Sequence, residues 1–348
     1  MIFKKTIFFD PSYAAYYQDR LFDTNNVNLN RDDTLLPFKR LRDALDQQGI
    51  NVHTADYLLK NEYKSEVNEY FSLGLLGNYQ QLIGLSDVRL KGFVIMEPPV
   101  VAPKLYRALP ELTRHFEHVY VHNTVGDGYS LKGVDQSRLL VFYWPQPQDN
   151  VLEPYWSAGD RLKRIVVING NHIPRSLRGQ LYGRRIEVMA RLAKFKTIDL
   201  YGRGWNQWWS HRSMWPPYWR HYKTLMSIYK GACESKYEVL SQYQFSLCFE
   251  NMTMQGYVTE KIFDCLYAGT IPLYLGASNI EALIPPEVYV DCRKFASWED
   301  MHHHVMGLSS EEIAHIRRAG RAFIEGQENI KYYKSLMGVV NGKIFNNI

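Results

Sequence analysis

The sequence predicts an α/β protein made of two Rossmann-like, doubly wound lobes with a cleft between them. Three observations predict it. The chain has 348 residues, 46% of them hydrophobic, which is more than one core ordinarily takes. Short apolar runs alternate with segments of helical spacing along most of its length, the pattern of a parallel sheet covered by helices. One stretch rich in proline and amide side chains, Trp144–Pro154, interrupts the alternation, as a linker would. The lobes are therefore expected to span residues 1–155 and 156–348.

The elements follow in order. The first apolar stretch ends at Asp10 and Pro11 and is too short for a signal segment or a membrane span. It reads as a strand at Ile7–Phe9, and the expected location is cytoplasmic. Further strands are expected at Asn51–Thr54, Gly92–Met96, His118–Val121 and Leu139–Tyr143, with helices over Phe38–Gln48 and Lys104–Phe116. Gly49 sits where a helix stop belongs. After the linker, strands are expected at Ile165–Ile168, Thr197–Tyr201, Phe245–Glu250 and Ile271–Leu275, and helices at Arg184–Ala193 and Thr259–Ala268.

Composition narrows the function classes. The net charge of +5 suits an anionic small ligand, peripheral contact with an anionic membrane surface, or an ordinary solvated exterior. No run of five or six Lys/Arg points to nucleic acid. Cys233, Cys248, Cys265 and Cys292 form no CxxC pair, which speaks against a zinc or redox motif. Aromatic residues make up 14% of the chain, suited equally to core packing and to stacking on sugar rings.

The most informative segment runs Tyr243-Gln-Phe-Ser-Leu-Cys-Phe-Glu-Asn251, through Gly256, Tyr257-Val-Thr-Glu-Lys-Ile-Phe-Asp-Cys-Leu266, to Gly276. It reads as strand, loop, helix, strand. Thr259 is placed to cap the helix and Gly269 to close it. A helix start after a strand is a ready anion site. Glu260 suits the helix dipole there; Lys261 does not, and a phosphate at the helix start would reverse that penalty. A surface lysine reaching into water remains the alternative.

This segment resembles the donor-binding signature of the α-1,3/1,4-fucosyltransferases, glycosyltransferase family 10, closely from Tyr243 to Pro285, with Gln244 where the family often has Lys. The resemblance implies a fold of the GT-B type, an acceptor-binding first lobe, and a second lobe holding GDP-fucose. It implies that Asn251, Tyr257, Glu260 and Lys261 contact the donor, Glu260 at the ribose hydroxyls and Lys261 at the diphosphate. It further implies an arginine for the diphosphate from an earlier helix, and Arg185 fits that position with Arg184 as its neighbour. An arginine suits the task because its planar fork holds two phosphate oxygens.

Inverting transfer needs a carboxylate near the acceptor hydroxyl. Glu97 follows the strand Gly92–Met96 and precedes Pro98-Pro99, at the strand end where such folds bind ligands. A loop carboxylate capping the next helix is the other reading; the resemblance favours the base. No Asp-x-Asp pair is present, so a metal has no obvious ligands and no cofactor beyond the donor sugar nucleotide is expected. The resemblance further implies a glycan acceptor, at O3 of GlcNAc or Glc in a lipopolysaccharide or surface polysaccharide.

Other features carry less. Trp205, Trp208, Trp209, Trp215 and Trp219 crowd one stretch, as packing or as an acceptor-lining loop, with packing favoured. His302–His304 point in different directions on a helix, against a metal site. Gly126-Asp-Gly128 reads as a turn. The rival functions are a transferase using another GDP- or UDP-sugar, a nucleotide-dependent oxidoreductase, disfavoured because no GxGxxG follows the first strand, and a non-catalytic glycan- or nucleotide-binding module.

Overall fold

A computed structural model describes residues 4–207 and 215–342. The chain divides into two units, Met1–Pro147 with Lys331–Ile348, and Gln148–Ile330. The break falls inside the proline- and amide-rich stretch, earlier than residue 155, and the last residues do not stay with the second lobe. This corrects the expected 1–155 and 156–348 division. The physical reason lies in the helix Ser335–Asn341. Its Leu336, Val339 and Val340 pack with Ile7, Phe9, Phe71 and Val94 of the first unit, and the Tyr120 hydroxyl donates to the Val339 carbonyl at 2.7 Å.

The first unit contains strands β1 (Lys5–Asp10), β2 (Asn51–Thr54), β3 (Val67–Ser72), β4 (Val88–Val94), β5 (His118–Val121) and β6 (Leu139–Val141). They form one parallel sheet in the order β2-β1-β3-β4-β5-β6. Because side chains alternate across a strand, Ile7 and Phe9 fall in one core, and Phe8 with Tyr70 and Phe93 in another on the opposite face. A sheet buried on both faces needs such near-continuous apolar runs. The expected helix over Lys104–Phe116 is two helices, Pro103–Arg107 and Leu109–His115, with Pro110 in the first turn of the second. Proline belongs in a first turn, where its missing N–H costs nothing.

The second unit contains β7 (Leu162–Ile168), β8 (Ile198–Tyr201), β9 (Tyr229–Gly231), β10 (Tyr243–Phe249), β11 (Ile271–Leu275) and β12 (Val290–Asp291). All pair in parallel, in the order β12-β11-β10-β7-β8-β9. The winding starts at β7, runs outward to β9, then returns to β10 beside β7. Ligands in such sheets lie outside the carboxyl ends of the strands, where the winding reverses. That point is β7/β10, and the segment after β10 is the one the sequence singled out. Among the described residues, no helix is long and apolar enough to cross a membrane.

Candidate functional site

The chain leaves β10 at Phe249, and Glu250 follows, 0% exposed. The loop after it is tied to the residues just before the helix Tyr182–Leu192. Gln180 and Met252 form an antiparallel bridge. The Leu181 N–H donates to the Asn251 carbonyl at 3.0 Å, and the Thr253 N–H to the Gly179 carbonyl at 2.9 Å. The Gly256 N–H donates to Asn279 Oδ1 at 2.9 Å, with Gly256 at φ 73°, a left-handed turn that favours glycine. These ties bring the Tyr182–Leu192 helix to the carboxyl end of β10.

Arg185 lies on that helix and is 4% exposed. Its Nη2 donates to the Phe249 carbonyl at 2.6 Å and to the Glu250 carbonyl at 3.0 Å. Burial pushes its pKa below the usual arginine value, but the guanidinium stays charged. Arg184, its neighbour, is exposed. The structure therefore brings Arg185, not Arg184, to the segment after β10.

The helix Glu260–Ala268 opens at Thr259 and closes at Gly269, whose φ of 72° is the left-handed cap glycine allows. Thr259 occupies the N-cap but its side chain does not cap the helix. Its hydroxyl donates to Glu250 Oε2 at 2.8 Å, and its N–H donates to Glu250 Oε1 at 2.8 Å. The expected cap is thus diverted to Glu250, while the Glu260 carboxylate takes its own backbone N–H at the helix head. Lys261 Nζ donates to Thr259 Oγ1 at 2.8 Å and to Glu250 Oε2 at 3.1 Å, and lies 3.4 Å from Glu260 Oε1. Burial works against the Lys261 charge, but Glu250 and Glu260 outweigh it and hold the ammonium above its usual pKa. Burial would raise the Glu260 pKa, yet the Lys261 and Lys236 charges hold it down to about 2. Lys261 and Glu260 keep 24% and 33% of their side chains exposed. Asn251 Nδ2 donates to the buried Tyr257 hydroxyl at 3.4 Å.

Four of the expected residues thus cluster at one strand end with Arg185. Glu250 stands in the signature segment, yet the sequence alone gives it no part. The available signal was its position, an acid directly after the apolar Leu247-Cys-Phe249 and one residue before the loop. Nothing in the spacing said its carboxylate would turn inward.

Glu97 belongs to the first unit. β4 ends at Val94, and the Ile95 N–H still donates to the Tyr120 carbonyl at 2.9 Å. The half-buried Glu97 comes next but one. The helix that follows has Ala102 at its N-cap, so Glu97 does not occupy that cap. The helix Pro103–Arg107 carries Tyr106, buried with its hydroxyl making no hydrogen bond among the described residues. The charge of Glu97 bears on Tyr106. His122 Nε2 donates to the Met96 carbonyl at 2.7 Å, fixing the residue before Glu97.

Burial pushes the His122 pKa down to about 4. A histidine depressed in the fold binds fewer protons there than when unfolded. Stability is then full above pH 6.5 and falls as pH drops from 6.5 toward 4, by about 3 kcal/mol for this one group. His122→Gln keeps a donor for the Met96 carbonyl and removes the titration. Melting temperature should fall less between pH 6.5 and 4 in the variant than in the unaltered chain. Parallel pH curves would contradict this.

Of the crowded tryptophans, the structure buries two. Trp205 is buried and donates to the Asn169 carbonyl at 2.7 Å, and Trp215 is buried too. Trp219 is 40% exposed; Trp208 and Trp209 lie outside the described residues. His302 stacks on Phe195 at 4.0 Å and meets Thr197 Oγ1 at 2.7 Å, while His303 and His304 are exposed. Among the described residues, no three His, Cys, Asp or Glu side chains gather as a metal site would need. Gly126 and Gly128 have φ of 79° and 86°, in a turn closed by the Asp127 N–H on Asn123 Oδ1. All four cysteines are free and buried.

Comparison with known families bears on the second unit. Residues 177–317 match glycosyltransferase family 10 (fucosyltransferase), C-terminal part. This segment belongs to family 10. It contains Arg185, Glu250, Asn251, Tyr257, Glu260 and Lys261. The chain is 38% identical over 76 residues to an alpha-(1,4)-fucosyltransferase of Arabidopsis thaliana, covering 22% of this chain and 19% of that protein. It is 36% identical over 83 residues to the alpha-(1,3)-fucosyltransferase FucT of Helicobacter pylori, covering 24% and 17%. These matches span about a fifth of the relatives' length. Among solved structures, an alpha1,3-fucosyltransferase with GDP aligns at TM-score 0.53 and 15% identity over 91% of this chain and 82% of that one. Anabaena Alr3699/HepE in complex with UDP-glucose aligns at TM-score 0.59 and 10% identity over 97% and 99%. At such identities the likeness is one of fold, the two-sheet α/β architecture of GT-B type.

Proposed function

We propose that this chain is an inverting fucosyltransferase that moves L-fucose from GDP-β-L-fucose to a hydroxyl of an acceptor glycan. The observation that carries the reading is the cluster after β10, where buried Arg185 and half-buried Lys261 stand beside the start of the helix Glu260–Ala268. Two cations and the positive end of a helix dipole are what a diphosphate needs. Glu260, ionised down to about pH 2, is an acceptor for the two ribose hydroxyls, and Asn251 and Tyr257 offer further polar contacts to the donor. The family match supports fucose as the sugar.

In this account Glu97 takes the proton of the acceptor hydroxyl as its oxygen attacks the anomeric carbon. The C–O bond to the diphosphate breaks from the opposite side, so the β-linked donor gives an α-linked product. Charge then builds on the departing GDP, where Arg185, Lys261 and the helix start stabilise it. One such preorganised donor is worth about 3–4 kcal/mol. The acceptor is expected to present O3 of GlcNAc or Glc, as in a lipopolysaccharide or surface polysaccharide. The test is GDP release from GDP-fucose with and without glycans ending in GlcNAc or Glc, and the anomeric configuration of the product by NMR. A β-linked product would overturn the inverting mechanism.

The reaction is expected to need no metal, since the basic groups can do its work on the diphosphate. Turnover should persist in EDTA. Loss of turnover in chelator that returns with Mn²⁺ or Mg²⁺ would contradict this; mild stimulation by added cation would not.

A further inference from the structure

We propose that Glu250 is a positioning residue for the donor diphosphate, fixing the Lys261 ammonium and drawing the Thr259 hydroxyl away from its own helix. The inference rests on the donor reading above. An N-cap threonine normally turns its hydroxyl onto the first-turn N–H groups. Here that hydroxyl and the Thr259 N–H both go to Glu250, at 2.8 Å each. The Thr259 hydroxyl therefore makes no bond to the first-turn N–H groups of its own helix. The same carboxylate receives Lys261 Nζ at 3.1 Å. Glu250 therefore sets the two donors of charge, the helix start and the ammonium, in one place before any ligand arrives. Preorganised donors need no rearrangement when charge develops on the leaving group.

The fit is tight. A side-chain carbon on Gly276 would stand 2.5 Å from Glu250 Cγ, so only glycine leaves the carboxylate its position. Behind it, the Glu250 carbonyl accepts from Arg185 Nη2 at 3.0 Å. One residue thus touches both cations of the site, Arg185 through its backbone and Lys261 through its side chain. A carboxylate 0% exposed is costly unless paired and hydrogen-bonded; four contacts, from two Thr259 groups to Oε1 and Oε2 and from Lys261, meet that need.

The charged and titratable groups around Lys261 are Glu250, Glu260 on its own helix, Arg185, and the buried Cys248 thiol of β10; Lys236 acts on Glu260. Removing the Glu250 charge leaves Arg185 opposed only by Glu260, and the ammonium becomes easier to deprotonate. Glu250→Gln keeps an acceptor for Thr259 and removes the charge. GDP binding to the full chain is titrated calorimetrically from pH 7 to pH 10 for the unaltered chain and the variant. The ratio of the two affinities cancels the titration of GDP itself. The variant should bind about tenfold more weakly at pH 7, with the ratio widening as pH rises. A merely structural role would lower both curves by a constant factor or not at all. Equal or tighter binding by the variant, or a flat ratio, would overturn the proposal. Absence of GDP binding by the unaltered chain would instead overturn the donor reading. If Glu250→Gln does not fold, melting of Glu250→Gln/Lys261→Met decides. The pair model expects the double variant to recover folding; a double variant that also fails to fold overturns the proposal.

Discussion

Lys261→Ala should slow fucose transfer on the order of a hundred-fold or more, the range for losing one preorganised donor to a developing anion, and should weaken GDP binding as well. Lys261 Nζ sits at the head of the helix Glu260–Ala268, bonded to Thr259 Oγ1 and Glu250 Oε2. The sequence alone leaves room for a surface lysine whose loss spares the fold. The structure does not, because alanine would strand the Glu250 carboxylate, 0% exposed, without its cation. Breaking a buried pair from one side costs about 3–5 kcal/mol, and the partial exposure of Lys261 places this case toward the low end. Calorimetric titration with GDP and a melting curve separate the two effects. Unchanged GDP affinity in a folded variant would remove Lys261 from the diphosphate.

Glu97→Gln should lower turnover by roughly a hundred-fold or more, the range for losing a placed general base. The substitution keeps shape and removes the proton acceptor. GDP affinity should survive, because Glu97 lies in the first unit and the residues assigned to GDP lie in the second. Hydrolysis of the donor by water should fall as well, since water also has to lose a proton. Glu117, paired with Lys91 on the same unit, is the control acid. If turnover in Glu97→Gln instead tracks melting temperature, or stays near normal, the base is elsewhere.

Most of the strand pattern was legible because buried parallel strands are near-continuous apolar runs. Asn51–Thr54, His118–Val121 and Ile271–Leu275 fall where expected. β3 was not, because Asn68 and Glu69 interrupt its apolar character. Both are buried, and Glu69 is paired with Lys5 at 2.7 Å. That pairing depends on β1 and β3 lying side by side, which no local pattern reveals. The tail was assigned to the wrong unit for a like reason. Leu336 and Val339 say that the helix Ser335–Asn341 is amphipathic but not which sheet it covers.

At the site, residue types and order were legible, and the internal bonding was not. At a helix start the dipole disfavours Lys261, which leaves a phosphate partner or a reach into water as the two readings. In the structure Glu250 already supplies its counter-charge, so the helix position alone is weaker support than the spacing suggested. Arg185 could be separated from Arg184 only once the helix phase was set against the loop after β10, which buries one and exposes the other.

Thermal shift with GDP, UDP and NAD tests the central claim most directly, because it asks which nucleotide the cluster of Arg185, Glu260 and Lys261 was built for. A ligand at a hundred times its dissociation constant stabilises the fold by about 2.7 kcal/mol, a shift of several degrees in a chain of this size. The account predicts that shift with GDP and none of that size with UDP or NAD. Equal stabilisation by UDP, or stabilisation by NAD alone, would contradict it.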